Sequence, residues 1–295
     1  NYGTNHLFKI AGGPNVDDYN WTSTLMKNIP GHMMNGISLH YYTFADSWTN
    51  KGNATGFDDN EYFRTIENAA HIEELIERHT AIMDQYDPEK RLGLVIDEWG
   101  AWYNVEPGTN PGFLYQQNTL RDALLAGVSL NIFHKHCDRV KMANIAQMVN
   151  VLQAMILTEG EKIVLTPTYH VFDMYKVHQD ATFLPMDLIC DKTLVRDNRE
   201  VPMLSASASK DKSGVIHITL ANVDTDNAQN ITLDLQGQKI TSVNGRILTS
   251  PSINDHNTFE KPDFVKPVAF NGAKVEKGQL KINMPAKSIV VLEVK

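Results

Sequence analysis

The chain has 295 residues, room for about two domains at roughly 150 residues each, and its 42% hydrophobic and 21% charged residues exclude a disordered or fibrous polymer. Lys and Arg total 27 against 35 Asp and Glu, a net charge of −8 with no basic cluster, so a nucleic-acid partner is not expected. No apolar run approaches the ~20 residues that a membrane-spanning helix needs, and no membrane partner is expected either. The longest candidate, 148–157, is interrupted by Asn150 and Gln153.

Taken in order, Leu7–Ala11 reads as a strand closed by Gly12-Gly13-Pro14, and Gly36–Tyr42 as a second strand. Residues 60–85 place Phe63, Ile66, Ala70, Ile72, Leu75, Ile76 and Met83 at roughly helical spacing, leaving Glu67, Glu73, Glu74, Glu77 and Arg78 for a wet face. Arg91–Glu98 is a third strand, apolar on both faces until it ends in acid, as a parallel strand under helices requires. A helix is expected from Leu114 to about His134, a fourth strand at Val140–Ala143, and another helix from about Ala146 with Met148, Val151, Leu152 and Met155 in its core. This βαβα series predicts a parallel α/β sheet. From about residue 181 the period changes to two in 215–220, 231–235, 279–284 and 288–294, with Asn, Asp and Gly turns between, which predicts an antiparallel β-sandwich. No repeat or low-complexity linker separates the halves, so a tight join is expected.

The chemistry concentrates at two strand ends. Leu94-Val95-Ile96-Asp97-Glu98-Trp99-Gly100-Ala101-Trp102-Tyr103 puts two carboxyls and then three aromatic rings at the carboxyl end of a buried strand. Carboxyls there cost desolvation unless they are hydrogen-bonded or used, and in a (β/α)₈ barrel that end is the catalytic face. Rings beside an acid suit a sugar, whose C–H faces pack on Trp and Tyr. Capping or ion pairing in a βα loop is the competing use of Asp97 and Glu98. Ser38-Leu39-His40-Tyr41-Tyr42 supplies a histidine and two tyrosines at the matching end of the neighbouring strand.

These two segments, followed in order by His136-Cys137-Asp138-Arg139-Val140-Lys141 and Ala146-Gln147-Met148-Val149-Asn150-Val151, resemble the family-51 α-L-arabinofuranosidases. The resemblance implies a (β/α)₈ TIM barrel followed by a jelly-roll-like β-sandwich, and retaining hydrolysis of terminal α-L-arabinofuranosyl residues without cofactor or metal. By the same resemblance Glu98 matches the nucleophile, Tyr42 a tyrosine that hydrogen-bonds it, and His40 a neighbouring active-site histidine. Trp102 matches an aromatic wall of the pocket, and Gln147 a glutamine on arabinose hydroxyls. Gly100 departs from the family, which often carries Asn there; the expected effect is local.

The family's acid/base is the Glu of an Asn-Glu pair after the fourth strand. The strands at 7–11, 36–42 and 92–97 count as the fifth, sixth and seventh, so the chain is expected to be the C-terminal portion of such an enzyme: barrel strands five to eight in 1–180, a sandwich in 181–295. It opens at Asn1 without Met, and a processed N-terminus or a longer parent protein are both open. Asn60-Glu61 precedes an apolar-periodic stretch, which marks a helix start and not the acid/base. The fragment alone is expected to be inactive, and to pair with itself or with the other barrel half.

Other signals weigh less. His134-x-His136-Cys137 lacks a further ligand cluster, so no metal is expected. Asn20, Asn53 and Asn230 head glycosylation sequons. Cys137 and Cys190 allow one bridge at most and leave the compartment open. Another retaining glycosidase of the same barrel type, or a non-catalytic carbohydrate-binding or assembly fragment, are the alternatives to an arabinofuranosidase acting on arabinan, arabinoxylan or their oligosaccharides.

Overall fold

A computed structural model describes residues 7–190, 193–196 and 199–295; the first six residues of the expected barrel portion, Asn1 included, lie outside them. Strands β1 (Ile10–Ala11), β2 (Gly36–Thr43), β3 (Gly93–Ala101) and β4 (Val140–Ile145) form one parallel sheet in that order. The crossovers carry α1 (Tyr19–Asn28), α2 (Asp59–Ala70), α3 (Ile72–Tyr86) and α4 (Leu120–Lys135). The first strand is shorter than expected: only two residues pair, and Leu7 and Phe8 are exposed.

Period two decides which side chains face the helices. Ile37, Leu39 and Tyr41 of β2 and Leu94, Ile96 and Trp99 of β3 enter the common core, so Ser38, His40 and Tyr42 turn to the opposite face. At the other end of the strands the buried Arg139 donates to Asp87, Asp84 and the Leu92 carbonyl, tying the end of α3 to the start of β3.

Three expectations need correction. The single helix over 60–85 is two helices meeting at His71. The helix expected from Leu114 starts at Leu120, where Thr119 and Asp122 form a reciprocal capping box; Leu114 itself is left-handed. No helix starts at Ala146. The segment folds as turns, with Asn150 and Leu152 at positive φ, then hairpin β5 (Ile156–Glu159) and β6 (Lys162–Leu165), then α5 (Pro167–Tyr175) capped by Thr166. Gln153 explains why. Its buried amide accepts from Ala101 N at 2.7 Å and donates to Asp122 O at 2.8 Å and Thr168 Oγ1 at 3.1 Å. A helix here would pull it away from all three. Met148, placed in a core by helical spacing, is 61% exposed.

The remainder is antiparallel, including the separate hairpin of β8 (Thr193–Arg196) and β9 (Arg199–Pro202), which packs on α2. Strands β7 (Thr182–Leu184), β10 (Leu204–Lys210), β11 (Ile216–Asn222), β13 (Val243–Thr249), β14 (Val268–Ala269) and β17 (Ser288–Val294) build a six-stranded sheet. Strands β12 (Gln229–Leu233), β15 (Ala273–Glu276) and β16 (Gln279–Met284) build a three-stranded one. Ile218, Leu220, Val290 and Leu292 from the first sheet and Leu280, Ile282 and Met284 from the second close the sandwich core.

The tight join is real. Thirteen of the sixteen residues of α4 are buried, because it packs on the barrel elements on one side and on β10, β11 and β17 on the other. At Gly127 a Cβ would meet Ile289 Cδ1 at 3.2 Å and the Tyr175 hydroxyl at 3.3 Å, so any larger residue there has to push these side chains aside. Among the described residues no helix is long and apolar enough to cross a membrane.

Candidate active site

Strict alternation would send Asp97 and Glu98 to opposite faces of β3. The pairing shows why it does not. Ser38 pairs with Val95 and His40 with Glu98, so β3 takes three steps where β2 takes two, and the ladder with β4 shifts in the same stretch. This β-bulge turns both carboxyls to the face of Ser38, His40 and Tyr42, and returns Trp99 to the helices, where it packs on Phe133 and Phe172.

On that face the Ser38 hydroxyl donates to Asp97 Oδ1 at 2.6 Å. The His40 ring lies between the acids, Nδ1 2.7 Å from Glu98 Oε2 and Nε2 3.3 Å from Asp97 Oδ1. The Tyr42 hydroxyl bonds Glu98; burial first, then that carboxylate, pushes the phenol well above its usual range, so it remains a donor. Both acids remain partly open to solvent.

The aromatic wall is wider than the sequence suggested. Trp102 meets Tyr42 edge-on at 5.0 Å and Trp48 at 5.1 Å, with Phe44 6.5 Å away. Trp48 is 60% exposed and comes from the loop after β2. Lys51 Nζ sits 4.4 Å over its ring and donates to its carbonyl. Neither Trp48 nor Lys51 stood out in the sequence, since nothing local links that loop to Trp102.

Gln147 is the second residue after β4. Ala146 N donates to Trp99 O at 2.8 Å, which sets Gln147 beside the carboxyl end of β3 with its side chain exposed. Gly100 has φ +132°, a conformation rare for L side chains, and a Cβ there would stand 3.2 Å from Gln153 Oε1. The five residues singled out, His40, Tyr42, Glu98, Trp102 and Gln147, thus gather at one end of the sheet.

Glu61 lies elsewhere in purpose. It is the third residue of α2, capped by Asp58, and its Oε1 accepts from Asn53 N at 2.6 Å. His134 and His136 diverge: His134 meets Ser207 at 3.2 Å, and His136 meets Glu73 at 3.2 Å. Glu73, Glu77 and His136 do bring ligand-type atoms together. Hydrogen bonds from His136 and Lys135 hold the Glu73 carboxyl down at about 2, so its charge already has partners.

Comparison with known proteins bears on the family and the fold. The sequence family described as the α-L-arabinofuranosidase C-terminal domain matches residues 97–288. An intracellular exo-α-L-arabinofuranosidase of Bacteroides ovatus is 56% identical over 293 residues, 99% of this chain and 57% of that protein. The crystal structure of a family-51 arabinofuranosidase from Xanthomonas axonopodis pv. citri matches with a TM-score of 0.97 at 47% identity, over 99% of this chain and 59% of that one. An arabinose complex of the Thermotoga maritima α-L-arabinofuranosidase, at 24% identity and a TM-score of 0.75, shares the fold. The chain spans less than three-fifths of the length of these relatives, from 57% to 59%.

Proposed function

Since the chain belongs to the α-L-arabinofuranosidases of family 51, we propose that the full-length protein removes terminal non-reducing α-L-arabinofuranosyl residues from arabinan, arabinoxylan or their oligosaccharides with net retention, and that Glu98 is its nucleophile. The observation that carries this reading is the setting of Glu98: bonded by Tyr42, whose ring meets Trp102, and beside His40.

A nucleophilic carboxylate must stay ionised, and donors such as the Tyr42 hydroxyl favour that form. In the first step Glu98 attacks the anomeric carbon. The bond to the leaving oxygen breaks, and a second carboxyl protonates that oxygen. In the second step the same group, now a base, takes a proton from water, which displaces Glu98 and restores its charge. Retention needs the two carboxyls about 5–5.5 Å apart across the sugar. Asp97 adjoins Glu98 in the bulge and is engaged by Ser38, so it is on the nucleophile's side. Glu61 is bound to its own loop. By the family resemblance, the acid/base is assigned to the Asn-Glu pair after the fourth barrel strand, outside this chain, and on this reading the fragment alone is inactive and dependent on the other barrel half or on self-association. In this reading residues 1–180 supply barrel strands five to eight, 181–295 the sandwich, and His40, Trp102 and Gln147 contact the sugar.

The test is Glu98→Ala in the full-length protein with an aryl α-L-arabinofuranoside. Turnover should fall by at least about 10³-fold, and azide should restore it with a product of inverted configuration. Retained turnover without azide removes Glu98 from the role. Faster cleavage of an aryl xylopyranoside by the wild type would move the substrate to another sugar.

A further inference from the structure

Arg121 is the second residue of α4 and has no solvent exposure. Its guanidinium lies 3.6 Å from the ring centre of Phe57 and 3.8 Å from that of Tyr103. Nη2 donates to the carbonyls of Asn53 at 2.9 Å and Ala54 at 3.3 Å. Nη1 is 3.7 Å from Glu61 Oε1, the same oxygen that accepts from Asn53 N. The Asn53 peptide is thus held on its oxygen by Arg121 and on its nitrogen by Glu61.

Burying a charge in this way is a poor route to stability, since a well-packed apolar side chain commonly does as well or better. What the guanidinium supplies is direction: a plane set by two rings and donors aimed at two carbonyls. Those carbonyls belong to the loop over 44–58. Next in the same loop, Gly52 O accepts from Asn104 N at 2.9 Å, Lys51 O accepts from Ala45 N at 3.1 Å, and Lys51 spans the rings of Trp48 and Trp102. The run of contacts ends at Tyr42 and Glu98.

We propose that Arg121, with Glu61, is a positioning residue that holds the loop over 44–58 so that Trp48 stands against Trp102 as the outer wall of the sugar pocket. The proposal rests on the hydrolase reading above. It deepens it by assigning substrate affinity to a buried side chain that touches no substrate. Arg121 sets the wall, and Tyr42 and His40 serve the carboxylate.

The experiment compares Arg121→Met with wild type in the full-length protein by kinetics and by amide hydrogen exchange. Arg121→Met should raise KM about tenfold with kcat within about threefold, because a displaced wall weakens ground and transition states alike. Exchange at Ala45, Asn53 and Asn104 should quicken at least about tenfold while β2 and β3 keep their protection. Glu61→Ala opens the same clamp from its partly exposed side and keeps the test alive where Arg121→Met does not fold; its KM should rise about threefold with the same exchange pattern. Unchanged exchange in this loop, or a fall in kcat at constant KM, overturns the proposal. The exchange arm needs no substrate, so it decides the clamp even where Glu98→Ala has overturned the hydrolase reading.

Discussion

Two sheet faces in this molecule carry rows of polar side chains at period two, and the fold treats them in opposite ways. On β2, His40 and Tyr42 are half-buried beside the partly exposed Asp97 and Glu98, and the Ser38 hydroxyl donates to Asp97. On β10, Ser205, Ser207 and Ser209 are covered by the barrel helices. Ser205 meets Asn131 at 3.1 Å, Ser207 meets His134 at 3.2 Å, and Ser209 meets His178 at 2.7 Å; Thr219 of β11 donates to Asn131 Oδ1 at 2.8 Å. The covered row has given its hydrogen bonds to a partner within the chain. The open row leaves His40, Asp97 and Glu98 partly within reach of solvent. A polar sheet face that is fully satisfied is an adhesive between parts, whereas one left partly open is where a ligand can be read.

The contrast can be broken from either side. The largest effect is the loss of turnover in Glu98→Ala. Next is Tyr42→Phe, which deletes one donor to that carboxylate and keeps the ring against Trp102; kcat should drop roughly 10- to 100-fold with little change in the thermal midpoint. At the covered face the signs reverse. Thr219→Val removes the donor to Asn131 Oδ1 and the partner of His178 Nε2, so denaturant unfolding should show a loss of about 1–3 kcal/mol while kcat of the folded protein stays at the wild-type value.

The smallest effect is in pH. Burial pushes His134 down to about 4, and burial together with the neighbouring His134 and His217 pushes His178 down to about 3, both from 6.5. Between those values the unfolded chain binds protons that the folded chain refuses. Their contribution to stability is therefore complete above pH 6.5 and declines as pH falls toward 4 and 3. The thermal midpoint should drop through that window in the wild type, and less steeply in His178→Gln. An unchanged slope would detach these rings from the acid response.

Much of this was legible in sequence. Period two in Ser38-Leu39-His40-Tyr41-Tyr42 and the unbroken apolar run of Leu94-Val95-Ile96 announce parallel strands, and the alternation after residue 215 announces the sandwich. The shared face of Asp97 and Glu98 was not legible from spacing, because a bulge is a property of two strands in register and not of either alone. The helix expected after Ala146 failed for a related reason. Met148, Val151, Leu152 and Met155 have helical spacing, yet Gln153 binds three groups brought by β3, α4 and α5, and that long-range demand prevails over local periodicity. Trp48 and Arg121 were likewise silent, since Trp48 takes its meaning from Trp102 and Arg121 from Asn53, Phe57 and Glu61, all more than fifty positions away.

Gly127 and its neighbours in α4 carry a practical consequence. A helix packed on both flanks belongs to no module, so excising the sandwich would strip one flank of α4 and wet Gly127, Asn131 and His134. Calorimetry should then record one endotherm instead of two for the region containing both sheets. Chimeras that exchange this sandwich for another would have to carry the helix with it.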